Sequence, residues 1–328
     1  MQAEPLITWS EPALHFIEFL GLFFSTGAVG FRYSALRGRL TPVGAPAAAS
    51  TPPGVAADRP IYLLAARRAA AIGLLGMLIN LVLLIIDLPG LAARKHLDVG
   101  AFVTSDFMTA AQIVLVLLAL NGFVLARRGI GFGWLLAAIG VVGVPVRGAL
   151  LGQWSKLVNP LHVLSAGLWI GTLFVLLVAG LTLILRHEAA RERRGRLAAD
   201  MVNAFSPLAL VASGFVALFG VITAWKHLTP LSSLWTTPYG YALIAKLLVV
   251  AIVVSLGAFN WRRQRPTLGT SDAAVSIARS ASAELTAAFV VLVITAVLVS
   301  LPSPRRPPAP GAAPVPGSAS PMQGPPPT

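Results

Sequence analysis

Five histidines, five methionines and no cysteine set the metal chemistry open to this chain of 328 residues. Without thiols there can be no disulfide, iron–sulfur cluster or cysteine nucleophile, so a metal must be held by imidazole, thioether, carboxylate or backbone oxygen. His15, His96, His162 and His227 fall on the same side of the apolar segments they adjoin, and only His187 falls on the other. Neutral imidazole suits Cu(II) and also Cu(I), and thioether is the softer Cu(I) ligand; Met108 stands at the level of these histidines. Glu18 follows His15 by three residues, which puts it on the same helical face about one turn deeper. There its carboxylate could fix the imidazole tautomer or act as a ligand itself. The candidate metal ligands are therefore His15, His162, His227, Met108, His96 and Glu18. The plainer alternative for each is an interfacial side chain bonded to water or backbone.

Two further ionisable residues, Lys246 and Glu284, fall within or near the inner parts of apolar segments. Charges at membrane depth are costly and usually face one another or a cavity. A Lys246–Glu284 ion pair across two helices is expected, serving structure or a proton path. Asn80, Gln112 and Asn121 are candidate interhelical hydrogen-bonders. Several enzyme motifs can be excluded. His187-Glu188 begins a HExxH pattern, but Arg191 stands where the second histidine is needed. No P-loop or serine nucleophile elbow occurs.

The elements that must position these residues are membrane helices. Hydrophobic residues make up 56% of the chain and charged residues 11%, against roughly a quarter charged in soluble domains. Apolar runs predict eight transmembrane helices near 13–34, 61–87, 107–126, 130–151, 161–186, 205–227, 240–260 and 283–301, each long enough for a hydrocarbon core of about 30 Å. The fold class is an all-α, polytopic integral membrane helix bundle. Seventeen of the 25 Lys and Arg residues fall in the inner loops and helix ends if both termini lie outside. This positive-inside bias accounts for the net charge of +13 without nucleic acid; the bilayer is the partner it implies. Trp154, Trp225, Trp235 and Tyr239 form an outer aromatic belt. The first twelve residues carry Glu4 and Glu11 but no Lys or Arg, so no cleaved signal is expected.

Residues 1–151 and 152–301 read as two four-helix halves. Short matches between them (Leu14-His15 with Leu161-His162, Lys95-His96-Leu97 with Lys226-His227-Leu228) point to two parallel repeats. Residues 41–60 read as an inner Ala/Pro linker, and 302–328, with eleven prolines, as an extended outer tail. Residues 187–200 read as a charged helix or helix extension.

From residue 203 to 301 the chain resembles the copper resistance protein D (CopD) family. The resemblance rests on the Phe205-Ser206 helix start, the outer end around Trp225, and Thr237-Pro238-Tyr239-Gly240 before the helix bearing Lys246. It continues through a last helix opening with Glu284, and His162 with Trp169-Ile170-Gly171 extends it into the fifth span. It implies a bacterial inner-membrane protein that handles copper, with His162, Trp169, His227, Tyr239, Lys246 and Glu284 at family-motif positions. The leading expectation is a non-enzymatic copper transport or tolerance protein. Copper captured at the outer histidines, from a periplasmic copper-binding protein, would pass through the bundle. The alternative is a membrane electron carrier with haem b held between His15 and His162.

Overall fold

The computed structural model describes residues 9–40, 53–228, 231–264 and 271–301, and contains no strand among them. The helices are α1 (Ser10–Tyr33), α2 (Pro53–Ala93), a short α3 (Val99–Ser105), α4 (Phe107–Arg127), α5 (Gly133–Val146), α6 (Val158–Arg186), α7 (Arg194–His227), α8 (Pro238–Gln264) and α9 (Ser271–Ser300). Among the described residues eight are long and apolar enough to cross a bilayer, α5 counted together with the turn that continues it to Leu151. The all-α polytopic bundle expected from composition is what forms.

The eight spans are found where the apolar runs lie, but three of their ends are not. Helix α2 begins at Pro53, so residues 53–60 belong to a helix and not to the linker read from their Ala/Pro content. Two effects outweigh composition there. Proline is tolerated in a first helical turn, where its missing N–H would be unpaired anyway. Asp58 is also anchored by Arg193 and Arg196, at the start of α7. The rest of that linker and the tail 302–328 lie outside the described residues. Helix α7 starts at Arg194, eleven residues before its apolar run, so residues 194–200 do extend a helix. Helix α9 likewise starts at Ser271. Apolar content marks the part of a helix that sits in lipid, whereas α2, with 41 residues, is roughly 60 Å long and must project beyond it.

Helices α1 and α6 occupy the centre and run parallel, with Thr26 against Gly167, Gly27 against Gly171 and Gly30 against Thr172. A Cβ on Gly27 or Gly171 would collide with the facing backbone, so this seam requires glycine. Helix α6 contains two π-helical stretches, Gly167–Gly171 and Leu176–Leu181, the first of them at that seam. The core gathers Phe31, Tyr62, Phe123, Leu176, Ile184 and Met201 from α1, α2, α4, α6 and α7. In the most apolar stretch of α6, 50% of residues are buried, against 11% in α7 and α8. The last two are peripheral, and Leu210, Val221, Leu248 and Ile252 on them present apolar side chains outward, as lipid requires.

One polar network closes the basic end of the bundle. Asp58, fully buried, receives Arg193 Nη1 at 2.6 Å on one carboxylate oxygen and Arg196 Nη2 at 2.6 Å on the other. Asp200 pairs with Arg39 at 3.1 Å, and Arg39 donates to the Tyr62 hydroxyl at 3.0 Å. The C-terminal end of α1 and the starts of α2 and α7 are thus tied together. This agrees with the alternation of sides that the Lys and Arg distribution requires.

Candidate functional site

His162 lies in the first turns of α6, and its ring is held against α7 by one hydrogen bond. Nδ1 is 2.9 Å from the backbone carbonyl of Val216. A carbonyl oxygen only accepts, so Nδ1 carries the proton and Nε2 keeps a lone pair free for a metal or proton. This is the arrangement in which a backbone carbonyl orients a metal-binding histidine. Gly220 makes it possible: a Cβ there would lie 3.1 Å from the ring Cε1 and 3.4 Å from Nδ1. Gly220→Val is expected to push the ring off α7 and cut any metal affinity that depends on it by about tenfold or more. Metal titration of the purified variant checks this. An affinity equal to wild type would mean the ring orientation does not matter.

Lys246, on α8, contributes to the electrostatic field at His162. The ion pair expected between Lys246 and Glu284 does not form. The Glu284 carboxylate sits beside Gly257 of α8, 3.8 Å from where a Cβ would be. Gly257 is eleven residues beyond Lys246, or roughly 16 Å along the helix. Sequence placed both residues in adjacent antiparallel spans but could not give their register.

The described outer histidines, His15, His96 and His162, are not gathered into one site. Among the described residues, no group of three or more His, Asp or Glu side chains is close enough to hold a metal ion. His15 is half-exposed, and its Nδ1 lies 3.4 Å from Glu18 Oε2 on its own helix. The predicted His15–Glu18 proximity is therefore real, but His15 and His162 engage different partners. His96 is exposed in the turn after α2, with a left-handed backbone at φ 56°. Met108 is half-buried in the first turn of α4. There Asp106 caps the helix by accepting from the Thr109 N–H at 2.8 Å, which holds its carboxyl below the usual range. His227 ends α7, two turns outward from Gly220 on the same face of the helix by register; its side chain lies outside the described residues. Asn121 bonds within its own helix, to Leu117, and not across helices.

The polar network around Asp58 escaped sequence reading. Asp58, Tyr62 and Asp200 are separated by up to 142 residues, and only Arg196-x-x-x-Asp200 is a local signal, an i,i+4 pair at 3.9 Å.

With this geometry in place, comparison with known proteins becomes decisive for the C-terminal helices. The family model for copper resistance protein D matches residues 199–298. Residues 199–298 are a CopD domain. It comprises most of α7 and the whole of α8 as far as α9, and so includes Val216, Gly220, His227, Lys246 and Glu284. The resemblance read from residues 203–301 is thereby confirmed. The chain is also 32% identical over 210 residues to the copper transport protein CutJ of Bacillus subtilis (strain 168). That alignment covers 60% of this chain and 36% of the relative, so the chain spans little more than a third of its length. No solved structure matches the chain significantly. His162 lies outside the CopD domain and docks onto it through Val216.

Proposed function

We propose that the protein carries copper across the bilayer, receiving the ion at the end of the bundle that bears His15, His162 and His227. The observation that carries this reading is the His162–Val216 hydrogen bond, which fixes the tautomer with a free Nε2 at the face of the CopD domain. A relative named for copper transport supports the choice of ion.

Along the seam between α6 and α7, His162 is the first ligand, and His227, on the Gly220 face of α7, is the nearest histidine position by register. His15 with Glu18, Met108 and His96 would act further out, as capture sites that copper meets before the seam. Lys246 has a different part. Its ammonium group and a copper ion near His162 repel each other, so loading favours loss of the Lys246 proton. That loss would couple copper to proton movement. Glu284, beside Gly257 and nearer the opposite end of α8, would accept charge later on the path. The positive-inside distribution orients the His15 end toward the periplasm, with the network of Asp58 on the cytoplasmic side. A periplasmic copper-binding protein is the proposed donor.

Metal analysis of the purified protein with a visible spectrum tests the reading. Bound copper without a Soret band is expected. A Soret band lost in His162→Ala would replace copper with a haem held between helices.

A further inference from the structure

At the basic end, α1, α2 and the turn between α4 and α5 border an open cavity of about 410 Å³ that the proposed copper path does not use. Arg32 in the last turn of α1 and Arg59 and Arg67 on α2 line it, with Leu40, Leu63 and Trp134 among its apolar walls. The neighbouring network shows what arginines at this end ordinarily do: Arg39, Arg193 and Arg196 are each paired with Asp58 or Asp200. The three cavity arginines differ. Among the described residues none has a carboxylate within 4.0 Å. The Nε atoms of Arg32 and Arg59 are buried without an acceptor, a feature the paired Arg39 shares, so the missing carboxylate is what sets the cavity arginines apart.

Three guanidiniums around one pocket repel each other, and Arg32 and Arg59, half-buried, also lose part of their hydration, so the site favours an anion. Their planar donors match phosphate oxygens. The apolar walls and the place of the cavity at the ends of membrane helices decide the source of that phosphate. A freely soluble anion gains nothing from Leu40, Leu63 and Trp134, whereas a lipid can lay its glycerol and upper acyl carbons against them. Basic pockets between transmembrane helices on the positive side take up anionic headgroups in this way. We propose that this cavity binds the phosphodiester headgroup of an anionic phospholipid. The site joins α1 to α2 and the α4–α5 turn, and it does not depend on the copper reading.

The test uses the full-length protein in detergent, titrated with phosphatidylglycerol, phosphatidylcholine or inorganic phosphate. Lipid retention is followed by native mass spectrometry and stability by thermal unfolding. Phosphatidylglycerol should be retained and should raise Tm, and phosphatidylcholine should do neither. The triple variant R32Q/R59Q/R67Q should bind phosphatidylglycerol on the order of a hundredfold more weakly, and R67Q alone, at an exposed position, about fivefold. A control that removes three exposed charges elsewhere, R68Q/R186Q/R191Q, should bind within about twofold of wild type. R67Q keeps the proposal testable if the triple variant does not insert. Unchanged phosphatidylglycerol binding in R67Q, an equal loss in the control, or equal stabilisation by inorganic phosphate alone would each overturn it.

Discussion

Cells expressing His162→Ala are expected to lose the effect of this protein on copper content and copper tolerance, while His187→Ala retains it. The imidazole of His162 is fixed by Val216 with Nε2 open, so alanine removes the ligand atom and leaves Gly220 facing a void. Alanine is the best helix former, and the remaining span is strongly apolar, so insertion should be unchanged. Altering only the partner that orients a metal-binding histidine typically weakens affinity by 10–100-fold, so loss of the ligand should cost at least about tenfold in copper affinity. His187 follows α6 at the opposite end of the bundle and controls for removal of an imidazole. Copper per cell, measured by atomic absorption at matched protein levels, gives the answer. Equal copper content in His162→Ala and wild type would remove His162 from the path.

The largest stability effect is expected from Asp58→Ala. Asp58 is fully buried between two arginines, and its removal leaves both guanidiniums without their shared counter-charge. Breaking a buried ion pair from one side costs about 3–5 kcal/mol. Arg193 and Arg196 keep 35% and 42% of their side-chain surface exposed, so water recovers part of that cost. A loss of about 2–4 kcal/mol is expected in thermal or denaturant unfolding in detergent. Asp58→Asn, which keeps the shape and one acceptor oxygen, should lose less. A change below about 0.5 kcal/mol in Asp58→Ala would mean that the network behaves as an ordinary surface ion pair.

The parts of this fold that lie in lipid were legible because a bilayer imposes length and apolarity directly on sequence. Runs such as 161–186 and 107–126 recur almost unchanged as α6 and α4. Helix ends outside the lipid were hidden. Residues 53–60 look like a linker by composition and are helical because the start of α2 meets Arg193 and Arg196 of α7. The candidate site shows the same division. His15 and Glu18 were paired correctly because helical spacing alone brings them together. Lys246 and Glu284 were paired wrongly because their relation depends on how far α8 and α9 slide past each other. The partner of His162 is a backbone carbonyl 54 residues away, and side-chain identity carries no signal for it. Gly220 was the available clue, a small residue at the point where a ring crosses a helix.

The central claim is that this bundle moves copper by way of His162. It is tested most directly by reconstituting the purified protein into liposomes and following copper entry under an imposed copper gradient. Wild type should carry copper faster than empty liposomes. His162→Ala should fall to the empty-liposome rate, and His187→Ala should match wild type. Copper entry by His162→Ala at the wild-type rate, or none by wild type in either direction across the membrane, would contradict the account.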